Sequence, residues 1–255
     1  MLTARRGGLI GLIAATSLLA GTLPANAAPG DGSAYGLRVS VTLLGLPPVT
    51  VGPLVEANAD GPTENTLAGA NVPGVLSTGV ITTSAVFDEA TGAVNSRAST
   101  ADVAIGLLPG NAISATAIEA TCSAVQSGVT GTSTLADLNL GGLGTVPVNP
   151  APNTVITVPG VLPGVNIATI TFNEQISNPD GSLTVNAVHI RLLDGLGSIG
   201  SGDVVISSAT CGPAGLPVPM ASGAGLWLSL GVIGMAVLPV GVALSRRRRA
   251  AVTTT

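Results

Sequence analysis

The chain states one passage twice, so any fold it adopts must accommodate a single unit in two copies. Val72-Pro73-Gly74-Val75-Leu76 returns as Val158-Pro159-Gly160-Val161-Leu162 after 86 residues. Phe87 and Glu89 match Phe172 and Glu174 at a spacing of 85, which also carries Val103, Ile105, Leu107, Leu108 and Gly110 onto Val188, Ile190, Leu192, Leu193 and Gly195. Ala120-Thr121-Cys122 then matches Ala209-Thr210-Cys211 at 89, which leaves room for a four-residue insertion. Apolar alternation and a cysteine that keep step over such a period mark a doubled supersecondary unit, about residues 72–122 and 158–211.

The unit reads as strands. In the second copy Ile170 to Ile176 is one strand, Asn178-Pro179-Asp180-Gly181 a turn, Leu183 to Leu192 the returning strand and Asp203 to Thr210 a third, with Cys211 at its end. The first copy turns at Thr91-Gly92 and closes with Ala112 to Thr121 before Cys122. Ahead of both copies, Tyr35, Leu37, Val39, Val41 and Leu43 alternate with Arg38, Ser40 and Thr42, the pattern of a half-buried strand with its apolar residues on one face. Pro47-Pro48 ends that strand, Val49-Thr50-Val51 is a short partner, and residues 57–71 read as an irregular loop. No stretch between the chain's two ends shows a capped helical period. The expected fold is all-β, an internally duplicated sandwich or open barrel.

The ends carry addresses. Arg5-Arg6, an apolar run from Leu9 to Ala20 and the small-residue site Ala25-Asn26-Ala27 predict a signal peptide over residues 1–27. Residues 225–244 are uncharged and long enough, at about 1.5 Å per helical residue, to cross about 30 Å of hydrocarbon. Trp227 suits the outer interface, and Arg246, Arg247, Arg248 and Arg249 hold the other end in the cytoplasm. The chain is thus expected to divide into a signal peptide, an extracellular β domain (28–212), a Pro/Gly stalk (213–224), a transmembrane helix (225–244) and an Arg-rich tail (245–255).

Charge and chemistry narrow the function. Arg38, Arg97 and Arg191 stand against all 13 acidic residues in the exterior part, a net of −10, which repels nucleic acid. Cys122 and Cys211 are the only cysteines, and in an exported chain they are expected to pair and staple the two copies. His189 is the only histidine; alternation points it and Arg191 away from Val188 and Ile190, and as a lone, exposed histidine it cannot build a zinc site. Asn178, Asp180 and Ser182 have the spacing that opens a calcium loop, but His189 stands where the closing glutamate belongs, so they read as a polar turn. Glu89 and Glu174 hold matching places and are the one candidate acid and base pair.

Ala34-Tyr35-Gly36-Leu37, Asn173-Glu174-Gln175 with Leu183 to Ile190, and Ser208-Ala209-Thr210-Cys211-Gly212-Pro213-Ala214 resemble the actinobacterial choice-of-anchor P surface proteins. That resemblance implies an exported domain joined to a C-terminal anchor, and it transfers no catalytic residue. Leu216-Pro217-Val218 before the apolar run also resembles a sortase signal, with Pro219-Met220 in place of Thr-Gly. The expected function is a membrane-anchored structural or interaction module of the bacterial cell envelope, without catalysis or cofactor. Its partners are the membrane and a cell-wall or surface protein, and not nucleic acid. The alternatives are an envelope-acting hydrolase using Glu89 and Glu174, or a sortase-processed adhesin fixed to the wall.

Overall fold

Runs of valine, isoleucine, threonine and alanine broken by Gly and Pro turns give fourteen strands and no helix among the residues that the computed structural model describes, 29–108, 112–195 and 197–217. The expected signal peptide, membrane segment and arginine tail, with Trp227 and Arg246 to Arg249, lie outside the described residues.

Two sheets of seven strands face each other. The first is built from β1 (Gly32–Leu43), β2 (Val49–Leu54), β3 (Ala57–Asn58), β11 (Thr154–Pro159), β12 (Asn166–Ser177), β13 (Leu183–Leu192) and β14 (Gly200–Cys211). Its order is β11-β12-β13-β14-β1-β2, with β3 also on β1. The second holds β4 (Glu64–Leu67), β5 (Ala70–Val72), β6 (Leu76–Thr78), β7 (Ile81–Asp88), β8 (Ala93–Ile105), β9 (Ile113–Val125) and β10 (Gly128–Ala136). The long β8 pairs with β9 on one side and, on the other, with β7 along Ala93 to Thr100 and β6 at Ala104 and Ile105. All these pairings are antiparallel; the all-β expectation holds, and of the sandwich and the open barrel the two sheets are consistent with the sandwich.

Between the sheets Leu37, Ile81, Ile118, Leu135, Ile170, Phe172, Ile190 and Ile206 are fully buried, each stabilising the fold by about 1.5–3 kcal/mol relative to exposure. A buried polar link crosses this core: Thr100 Oγ1 of β8 lies 2.9 Å from Ser207 Oγ of β14, and Ser207 Oγ donates to the Ile118 carbonyl at 2.8 Å. It ties the sheets together at their centre.

Several elements differ from expectation. Residues 57–71 hold β3, β4 and the first residues of β5: β3 and β4 are stabilised by the longer β1 and β7, and β5 pairs with the equally short β6. β10 and β11 are not among the strands expected above; they flank the Gly- and Pro-rich stretch of residues 141–152, which holds no strand. Cys122 sits inside β9, while Cys211 does close β14. Tyr35 does not share the face of Leu37. Regular pairing lapses along one row that crosses four strands, Asn173 of β12, Ala187 of β13, Ser207 of β14 and Gly36 of β1. Asn173 and Ser207 take left-handed φ values of 49° and 55°. On one side of this row Leu37, Val188 and Ile206 face the core; on the other, Ala34, Val185 and Ala209 do. Tyr35 therefore turns outward, paired with Ser208. Gly36 is obligatory here, since a Cβ on it would overlap Ile81 of the facing sheet.

The strand register defines two ends. At one, the described chain enters at Pro29 and leaves at Pro217, close to the β7–β8 and β12–β13 turns; the opposite end carries the β1–β2, β11–β12 and β13–β14 loops.

Candidate functional site

The outer face of the first sheet carries a dense cluster of titratable groups. On β13, His189 and Arg191 point away from the core, as alternation predicts, and Asp203 of β14 lies opposite Arg191. In an unbroken strand Asn186, three residues from His189, would face the other way. The pleat dislocation at Ala187 turns it outward, and the same row at Asn173 brings its pairing partner Glu174 outward as well. The cluster is therefore a product of that dislocation.

His189 is held on both sides. Its Nδ1 lies 2.9 Å from Glu174 Oε2 and its Nε2 2.9 Å from Asp203 Oδ1. Asn186 Nδ2 donates to the same Glu174 oxygen at 2.7 Å, and Arg191 Nε donates to the same Asp203 oxygen at 3.3 Å. The expectation of an exposed histidine is corrected: its side chain keeps 12% exposure and that of Glu174 18%. The hydrogen bond from His189 holds the Glu174 carboxyl below its ordinary value of 4.5 against the opposing effect of burial, with help from Asn186. The hydrogen bond to Glu174 raises His189 above 6.5, again against burial, and Asp203 adds to the rise. When the ring is protonated it donates at both positions, one N–H to each carboxylate. In that state it has no free lone pair with which to take a proton from a nucleophile or a water. Chemically, the cluster can join β12, β13 and β14 and respond to pH.

Glu89 and Glu174 are not brought together. Glu89 lies in the exposed turn after β7 of the second sheet, whereas Glu174 is engaged on the outer face of the first, with the core between them. Asn178, Asp180 and Ser182 form a tightly bonded hairpin turn. Asp180 Oδ1 accepts from Ser182 N and Oγ at 2.9 and 2.7 Å, and Asn178 Nδ2 reaches Ser182 Oγ and Thr184 Oγ1 at 2.9 and 3.1 Å. Asp31, Asp60 and Asp180 line a cleft of about 310 Å³ at this end of the molecule.

Cys122 and Cys211 are joined. The bond links β9 of the second sheet to β14 of the first, with Cα atoms 5.6 Å apart and both cysteines buried. Beside it the chain is clamped before it leaves: Gly212 N donates to Asp31 O at 2.7 Å, Gly30 N to Pro213 O at 3.0 Å, Gly215 N to Gly92 O at 2.8 Å and Gln126 Nε2 to Gly215 O at 2.6 Å. The Phe87 ring lies against Gly30 and Gly215, where a Cβ on Gly215 would come within 2.7 Å of it. Pro213 and Gly215, at the start of the segment expected to be a stalk, are thus bound to the body.

No family model, curated protein or solved structure matches this chain. What can be said of its role rests on its own residues. Sequence reasoning singled out His189 and Glu174 without joining them, and it missed Asn186 and Asp203. The available signal was the pairing of Arg191 with an acid on the following strand; no spacing rule reveals a dislocation that reorients Asn186.

Proposed function

We propose that the chain is an exported structural or interaction module of the cell envelope, held by a membrane helix over residues 225–244 with Arg246 to Arg249 on the cytoplasmic side, and without catalytic activity. The observation that carries this reading is the disulfide. Cys122 and Cys211 are buried between the sheets, and a lasting bond of that kind belongs to an oxidising compartment. Residues 212–215 are clamped at the same end, which suits a domain held from its C-terminal side. The resemblance to choice-of-anchor P surface proteins agrees with this location.

The two copies of the repeat supply β7-β8-β9 in one sheet and β12-β13-β14 in the other, each an antiparallel meander. We read this as a duplication whose registers have since slipped. Val103 now faces Ala115 and Val188 faces Ile206, partners 91 residues apart where the cysteines are 89 apart. A slip of two keeps each side chain on its face. The separation of Glu89 from Glu174 argues against the hydrolase that uses them as a pair.

Protease added to intact cells should remove the β domain and leave a short membrane fragment. A full-length chain that survives digestion of intact cells, yet is cut after lysis, would overturn the proposed location.

A further inference from the structure

A sheet edge exposes unpaired backbone groups that can pair with another strand, and proteins usually blunt such edges. Three of the four edge regions here are blunted. β2 carries Pro53 after Gly52 at φ 87°, and Val55 at φ 60° follows it. β4 is four residues long and begins with the exposed Glu64, and β5 has only three residues. On β10, Gly131 O accepts from Gln175 Nε2 at 2.7 Å, and Leu135 N donates to Val148 O at 2.8 Å. β11 carries such devices only at its two ends, Asn153 at φ 57° just before it and Pro159 with a register shift as its last residue. It pairs with β12 alone, its register is regular as far as Val158, and its only proline is the last residue.

We propose that the outer edge of β11 pairs antiparallel with β11 of a second copy of this chain, joining the two first sheets into one. The strand is self-complementary. Centred on Ile156, the pairing sets Thr154 opposite Val158, Val155 opposite Thr157 and Ile156 opposite its own counterpart, so every facing residue is β-branched and suited to a pleated surface. Directly opposed residues share a face, which keeps the exposed Val155 and Thr157 of both copies on the outer side. Charge selects a copy of the same chain as the occupant. Two domains carrying 13 acids against three arginines repel each other almost everywhere, but no charged residue occurs from Leu138 to Asn173, the stretch that contains β11 and both its flanks. This edge is where like molecules can approach without opposing charges. The inference does not depend on where in the cell the chain resides.

The test is sedimentation equilibrium of the full chain in detergent micelles over a concentration series. Three forms are compared: wild type, Val155→Glu/Thr157→Glu and Val155→Lys/Thr157→Lys. Both positions are exposed, so both variants should keep the wild-type urea midpoint. The wild type should show a monomer–dimer equilibrium. Each double variant alone should associate about 10-fold or more weakly, because like charges then face one another. An equimolar mixture of the two variants should recover dimer at least to the wild-type level. A wild type that stays monomeric throughout, a dimer indifferent to both double variants, or a mixture that fails to recover overturns the proposal. An edge that takes an unrelated extended peptide would give the first of these results.

Discussion

A histidine bonded to two carboxylates contributes to stability only within a pH window, and that window follows from the two shifts. His189 is raised above 6.5, so its contribution is complete below 6.5 and fades as pH climbs through the raised folded value. Glu174 is lowered below 4.5, so its contribution is complete above 4.5 and fades as pH falls through the lowered folded value. Replacing His189 by alanine should cost about 1–3 kcal/mol where both apply, because Glu174 loses a charged partner while half-buried. In urea unfolding across pH, the gap between wild type and His189→Ala should be widest from about 4.5 to 6.5 and should narrow on either side. A gap constant with pH would mean that the ring acts by packing alone. Gly36 gives a second test: Gly36→Ala should destabilise by about 1–3 kcal/mol through overpacking against Ile81, and combined with Ile81→Ala it should cost less than the sum of the two single changes. Sequence made His189 legible as outward-facing, because Val188 and Ile190 keep strict alternation around it. Its partners were not legible, since Asn186 reaches the cluster only through a break in the pleat, and Asp203 only through the pairing of β13 with β14.

At the scale of elements, strands with strong alternation could be read directly: β1 beyond Gly36, β13 from Leu183 to Leu192 and the turn before it all lie where the pattern puts them. The strands that escaped are those whose stability is borrowed. β10 and β11 are rich in threonine and glycine or very short, and β3 to β5 have two to four residues each, so neighbours rather than composition decide them. The disulfide joins the elements that matter most to the sheet pair. Removing it as Cys122→Ala/Cys211→Ala should lower stability by about 4–5 kcal/mol in the chain-entropy model for a separation of 89 residues. The urea midpoint of the oxidised wild type against the double variant reads this directly, and a change of less than about 1 kcal/mol would indicate that the denatured chain is already compact.

Across the whole molecule, acidic groups gather where the chain enters and leaves, with Asp31, Asp60, Asp88, Glu89 and Asp180 at or next to that end, while the loops of the opposite end are rich in leucine, proline and glycine. Cys211 is the last residue of β14, and β14 runs between β13 and β1 in the interior of its sheet. A pull applied from the C-terminal side would first strip Gly215 from Gly92 and Gln126, then Gly212 from Asp31, and would next meet sulfur bonded to the facing sheet. The tether can lengthen by only those few residues before tension is shared between both layers, so a central strand that could otherwise be drawn out lengthwise is spared so long as the bridge stays oxidised.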